Sequence, residues 1–146
     1  MPTTARTRTL DAPAGEVWEL IADPNHLPRW WPRVTRVEGV ERDAFTKVFA
    51  SRNGRLVRAD FHVKADEQAL TLHWEQQVDD TPFARVLSAA RTELRLEPAG
   101  ASTKVTIELR QKLRGLFTNI GARRVRRAAG NVLDEALDGL ERIFGC

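Results

Sequence analysis

Residues 114–144 read RGLFTNIGARRVRRAAGNVLDEALDGLERIF, and the reading of this stretch decides the fold. It is the one long run with helical period. Leu116, Ile120, Val125, Ala129, Val132, Leu133, Ala136, Leu137, Leu140, Ile143 and Phe144 recur mostly three, four or seven apart, which lines them along one side of a helix. No proline interrupts it. Gly115, Gly121, Gly130 and Gly139 each lower helix propensity by roughly 1 kcal/mol relative to alanine. A helix that keeps them must be held by packing along its length, close approach to a sheet being one way. Its charges also oppose its dipole, with Arg123, Arg124, Arg126 and Arg127 in the first half and Asp134, Glu135, Asp138 and Glu141 in the second. Tertiary contacts or a ligand must compensate.

Upstream, the pattern is shorter and mostly of period two. Thr7 to Leu10 is a strand candidate, followed by a helix over about Pro13 to Ala22 and a second short one over His26 to Trp30, with Pro13 suited to a first helical turn and Pro32 ending the second. Six strands follow: Val34 to Val40, Thr46 to Arg52, Leu56 to Ala65, Leu70 to Val78, Ala89 to Glu97 and Thr103 to Gln111. Asn53-Gly54 between two of them is a strong hairpin signal. The longer break at Asp79 to Leu87 reads as a loop with one helical turn near a pocket mouth. Antiparallel strands joined by short turns need one face covered, and only the terminal helix is long enough. The expected architecture is α+β: a curved seven-stranded antiparallel sheet wrapped around a long C-terminal helix from about Gly115, with two short helices after the first strand.

The composition fits one soluble domain over residues 1–146, with 42% hydrophobic and 29% charged residues. No run reaches the roughly 20 apolar residues of a membrane span. The first 13 residues have no apolar centre, so no secretory leader is expected. The single cysteine, Cys146, excludes an internal disulfide and suits a cytoplasmic setting. The +3 charge is mild, and its excess lies between Arg110 and Arg127, a span without an acid. Phe117 is the one aromatic residue there, too little stacking surface for a nucleic-acid site. Weak contact with an anionic membrane is compatible with it.

At this point the chain resembles the START / Bet v 1-like superfamily (SRPBCC, helix-grip fold), in particular its bacterial polyketide cyclase/dehydrase and lipid-transport branch. The residues that carry the resemblance are Ala12-Pro-Ala-Gly-Glu-Val-Trp18-Glu-Leu-Ile-Ala-Asp23-Pro, then Leu27-Pro-Arg-Trp30-Trp31-Pro32, then Val37, the strand Thr103-Lys-Val-Thr-Ile-Glu-Leu and the terminal helix. They span essentially the whole chain. The resemblance implies a sheet–helix cavity and admits cyclases, aromatases and lipid or hormone binders.

Strand alternation proposes the lining of that cavity. Phe61 shares a face with Val57, Ala59 and Val63; Leu70, Leu72, Trp74 and Gln76 share one, as do Thr92, Leu94 and Leu96, and Val105, Ile107, Leu109 and Gln111. The register of Phe45 and Phe49 is ambiguous because Val48 and Ala50 alternate with them. The expected ligand-contacting set is Trp30, Phe49, Phe61, Trp74, Gln76, Leu94, Gln111, Leu116, Ile120 and Arg124. Of the adjacent Trp30 and Trp31, at most one is expected to point fully into the core. Arg124, beside the apolar stripe, is the candidate to hold a carboxylate or enolate, or else to pair with Glu93 or Glu108. Gln76 and Gln111 would orient a polar end.

His26, His62 and His73 lack ligand spacing, so no metal is expected, and no nucleotide or dinucleotide fingerprint occurs, so no cofactor is expected. No catalytic residue is identified. The favoured reading is binding or transport of a small hydrophobic molecule (lipid, polyketide or aromatic metabolite). The alternative is a cyclase or aromatase using the same cavity, largely through orientation.

Overall fold

The computed structural model describes residues 3–51, 53–115 and 121–145. Its elements in chain order are β1 (Thr3–Leu10), α1 (Ala14–Ala22), a 3-10 turn (Pro24–His26), α2 (Leu27–Trp30), β2 (Val34–Glu38), β3 (Ala44–Ala50), β4 (Leu56–Asp66), β5 (Thr71–Gln76), a 3-10 turn (Pro82–Arg85), β6 (Leu87–Ala99), β7 (Ser102–Leu113) and α3 (Ala122–Phe144). The seven strands form one antiparallel sheet in the order β1-β7-β6-β5-β4-β3-β2. This is the curved sheet around a C-terminal helix that the chain's periodicity implies. Most strand ends move by one or two residues, and two boundaries differ more. The first strand starts at Thr3 rather than Thr7, because β7 is long enough to pair with all of it. Gly115 has φ +55, outside the right-handed region, so it cannot open the helix. Leu116 and Ile120 lie outside the described residues.

The core packs Leu10, Val17, Ile21, Leu27, Trp30, Phe45, Leu72, Trp74, Leu94 and Ile107 against Leu133, Leu137 and Leu140 of α3. A smaller cluster of Val78, Leu87, Ala90 and Leu113 sits with Val125, near the start of α3. Two α3 glycines have distinct packing reasons. At Gly139 the helix meets the Trp30 backbone, where an added Cβ would stand closer than 3.0 Å to its carbonyl oxygen. At Gly130 the neighbours are the flexible end of Arg6 and Thr4 of β1. One close approach is thus to α2 and the other to the sheet.

The adverse helix charges are met by tertiary partners. Asp134 pairs with Arg6 at 3.4 Å, Glu141 and Asp138 with Arg8, and Glu135 with Arg33 at 3.3 Å. Exposed pairs contribute only about 0.2–1 kcal/mol each, enough to offset a dipole term of similar size. Arg123, Arg124, Arg126 and Arg127 are exposed.

Gly139→Ala is expected to lower stability by about 1–3 kcal/mol or more, because rigid backbone must move. Gly130→Ala should be neutral or stabilising by up to about 1 kcal/mol, since helix propensity improves and Arg6 can swing away. Urea denaturation of the two variants checks the contrast; equal losses would contradict it.

Candidate functional site

A cavity of about 410 Å³ lies between the concave face of the sheet and α3. Its origin is a taper in side-chain size along each element. Inward positions run from Phe61 to Ala59 on β4, from Trp74 to Gln76 on β5, from Leu94 through Thr92 to Ala90 on β6, and from Ile107 through Leu109 to Gln111 on β7. Helix α3 presents Ala128, Asn131, Val132 and Glu135 to the same space. Large side chains close one end; small or polar ones cannot fill the other.

The aromatic walls are Trp31, Phe49, Phe61 and, from the 3-10 turn within the expected 79–87 loop, Phe83. Arg33 and Glu135, paired at 3.3 Å, line the cavity too. Arg33 has φ +61, a backbone conformation costing a side-chain-bearing residue about 1–2 kcal/mol. It is held by that ion pair and by the Ala50 N–H, which donates to the Arg33 carbonyl at 3.0 Å.

The central polar group is Lys47. Its Cα partner is Ala59, between the Phe45–Phe61 and Phe49–Val57 pairs of the same ladder, so the pleat turns Lys47 to the concave face. The residue is 8% exposed. Its ammonium nitrogen, Nζ, stands 4.7 Å from the centre of the Trp31 ring, 4.8 Å from Phe61 and 5.6 Å from Trp74. Those rings are mutually braced, Trp31 edge-on to Trp74 at 5.2 Å and Phe45 stacked on Phe61 at 5.2 Å. Lys47 makes no hydrogen bond or ion pair among the described residues. Burial pushes its pKa from 10.5 down to about 7. Each aromatic face favours the ammonium by about 0.5–2 kcal/mol, whereas desolvating a charge costs several. Desolvation wins.

Gln76 lines the same cavity, and its Nε2 is buried without a hydrogen-bond partner among the described residues. An unmet buried donor costs about 1–3 kcal/mol.

Of the residues singled out from sequence, Phe49, Phe61, Gln76 and Gln111 line the cavity together. Trp30, Trp74 and Leu94 are in the core behind it. Arg124 is exposed, with no contact to the cavity and no bond to Glu93 or Glu108. It lies one turn before Ala128, on the helix face that carries the cavity-lining Ala128, Asn131, Val132 and Glu135, but beyond the lining itself, where its side chain is exposed. Both tryptophans are buried, but Trp30 points fully into the core, whereas Trp31 lines the cavity. Trp30 ends α2, while Trp31 is already extended (φ −83, ψ 134), so their rings diverge and meet edge-on at 5.4 Å. Lys47 and Trp31 were not in the expected set. The signal for Lys47 is its place midway between two inward phenylalanines.

A sheet gripping one long helix around an apolar cavity defines the START / Bet v 1-like helix-grip class. The chain belongs to the family described as "Polyketide cyclase / dehydrase and lipid transport", which matches residues 1–145. No curated protein matches it by sequence. Among solved structures, it is similar to the di-domain ARO/CYC BexL from the BE-7585A biosynthetic pathway (23% identity, TM-score 0.81), covering 97% of this chain and 46% of BexL, about half its length. It is similar to TTHA0849 from Thermus thermophilus (21%, TM-score 0.78, 97% and 95% covered). The Zhui aromatase/cyclase from Streptomyces sp. R1128 is also similar (17%, TM-score 0.72, 97% and 94% covered). At these identities the likeness is one of fold.

Lys47 binds fewer protons in the folded than in the unfolded chain between about pH 7 and 10.5. Its contribution to stability therefore rises with pH across that window and is flat and unfavourable below it. Lys47→Met should be more stable than the native protein at about pH 6, by a few kcal/mol, and the difference should shrink toward about pH 10. Urea denaturation across pH reads it. A pH-independent difference would contradict the burial of the amine.

Proposed function

We propose that the protein binds a small, largely apolar molecule in the cavity between sheet and α3, with an oxygen-bearing end toward Lys47 and Gln76. The observation that carries this reading is the cavity of about 410 Å³, lined by the buried, unpartnered Gln76 Nε2 and by the Lys47 amine, which makes no hydrogen bond or ion pair among the described residues. An unmet buried donor costs stability, and a ligand oxygen offsets that cost while its apolar body covers the exposed walls. The contacting residues in this reading are Trp31, Phe49, Phe61, Phe83, Leu109 and Val132 for the apolar body, with Gln111 and Thr92 as further polar contacts.

Family membership and the aromatase/cyclase neighbours support a polyketide-like or aromatic ligand of the same general chemistry. A cyclase-type reaction is the second reading, favoured by one observation: Lys47 gives the interior a group able to exchange a proton near neutral pH. The exposed arginines at the start of α3 fit weak attraction to an anionic membrane during ligand exchange.

Titration with the neutral dye N-phenyl-1-naphthylamine tests the binding reading. Fluorescence should rise and saturate at one dye per chain. Ala59→Leu and Val132→Phe, which fill the cavity, should weaken binding at least tenfold, about 1.4 kcal/mol, with unchanged circular dichroism. Absence of saturable binding, or native affinity in both filled variants, would contradict it.

A further inference from the structure

Lysines near a sheet usually run their stems along apolar surface and place the ammonium in water. Lys47 does not. Its stem leaves β3 between Phe45 and Phe49, and its nitrogen ends among the rings of Trp31, Phe61 and Trp74, at 4.7, 4.8 and 5.6 Å. Among the described residues no carboxylate reaches it. The other charged side chains lining the cavity are Arg33 and Glu135, engaged with one another. The inward positions lining the cavity from β4, β5, β6 and β7 carry no acid, and α3 contributes Ala128, Asn131 and Val132 besides Glu135. The amine thus faces the ligand space with neither a counter-ion nor a hydrogen-bond acceptor among the described residues.

We propose that Lys47 is a nucleophilic amine, and that the cavity takes apolar aldehydes or ketones, which Lys47 captures as imines. This rests on the cavity being a small-molecule site, and it names the class of molecule. The nitrogen lone pair attacks the carbonyl carbon, a C–N bond forms, and the C=O π pair moves to oxygen. One proton passes from nitrogen to that oxygen, giving a carbinolamine. Loss of the hydroxyl with the second nitrogen proton releases one water and leaves a neutral C=N bond. No oxidant or reductant is consumed.

Three features of the site serve this step. The neutral amine is the reactive form, and burial lowers its pKa to about 7, so about half of it is neutral at pH 7, against fewer than about one in a thousand for an exposed lysine. The apolar walls disfavour the water that would reverse the condensation. Gln76 Nε2, buried without a partner among the described residues, supplies a donor for a second oxygen on the same ligand.

The chain has four lysines, and Lys64, Lys104 and Lys112 are exposed, which makes the test direct. The native protein is incubated with 2-naphthaldehyde and sodium cyanoborohydride at about pH 7, and the adducts are mapped by peptide mass spectrometry. One naphthylmethyl group is expected on Lys47, formed at least tenfold faster than on any exposed lysine, with a rate that levels off above about pH 7. Lys47→Arg keeps a cation but has no comparable nucleophile, and should lose the fast adduct; Lys47→Met should lose it too. Labelling of Lys47 no faster than the exposed lysines overturns the proposal. If that occurs while the native protein still binds N-phenyl-1-naphthylamine, the imine inference alone falls. If dye binding is also absent, the cavity reading falls with it.

Discussion

The seating of the Trp30 backbone on Gly139 is the contact on which the rest of the arrangement depends. Removing one Cβ from α3 lets the end of α2 rest directly on the helix. That position delivers Trp30 to the core and, one residue later, swings the extended Trp31 over the cavity. Trp31 then braces Trp74 and completes the ring set around Lys47. A backbone contact at one end of the long helix thus sets the surroundings of an amine on the sheet. Each step is a rigid packing relation, so a displacement at Gly139 would be felt at Lys47.

Three locally unfavourable features meet at one place. The cavity forfeits packing, Lys47 is buried without a counter-ion among the described residues, and Gln76 holds an unmet donor. Leucines, isoleucines and aromatics fill the closed end, where the indole N–H of Trp30 is a further buried donor without a partner among the described residues, and the acids of α3 find basic partners on β1 and at Arg33. Departures from self-consistency that cluster in a concave site mark function more often than chance defects do. Here they also define what would satisfy them, an apolar body with a carbonyl-type end.

Much of the fold was legible because it is written in periodicity. The 3.6-residue stripe of α3 and the alternation of β4 to β7 identify elements and faces, and a sheet with one long helix has few ways to bury both. Position along a face was less legible. Alternation places Trp74 and Leu94 inward but does not say that they lie behind the cavity; the fall from Trp74 to Gln76 and from Leu94 to Ala90 does. Lys47 escaped because Val48 is also fully buried, so β3 carries apolar residues on both faces and hydropathy alone cannot choose its register. The i, i+2, i+4 relation of Phe45, Lys47 and Phe49 could have. Arg124 was drawn toward the cavity by counting from Ile120. The helix in the described residues begins at Ala122, and Arg124, though on the face that carries Ala128 and Glu135, stands one turn short of the lining and is exposed.

Everything proposed for the site requires that an amine on the concave face of the sheet be about half neutral at pH 7. Heteronuclear NMR of the lysine side chains in uniformly labelled protein measures it directly, because only four lysines contribute. One Cε–Nζ group should titrate with a midpoint near 7, and that transition should disappear in Lys47→Met. Absence of any lysine transition near 7 in the native protein would contradict it.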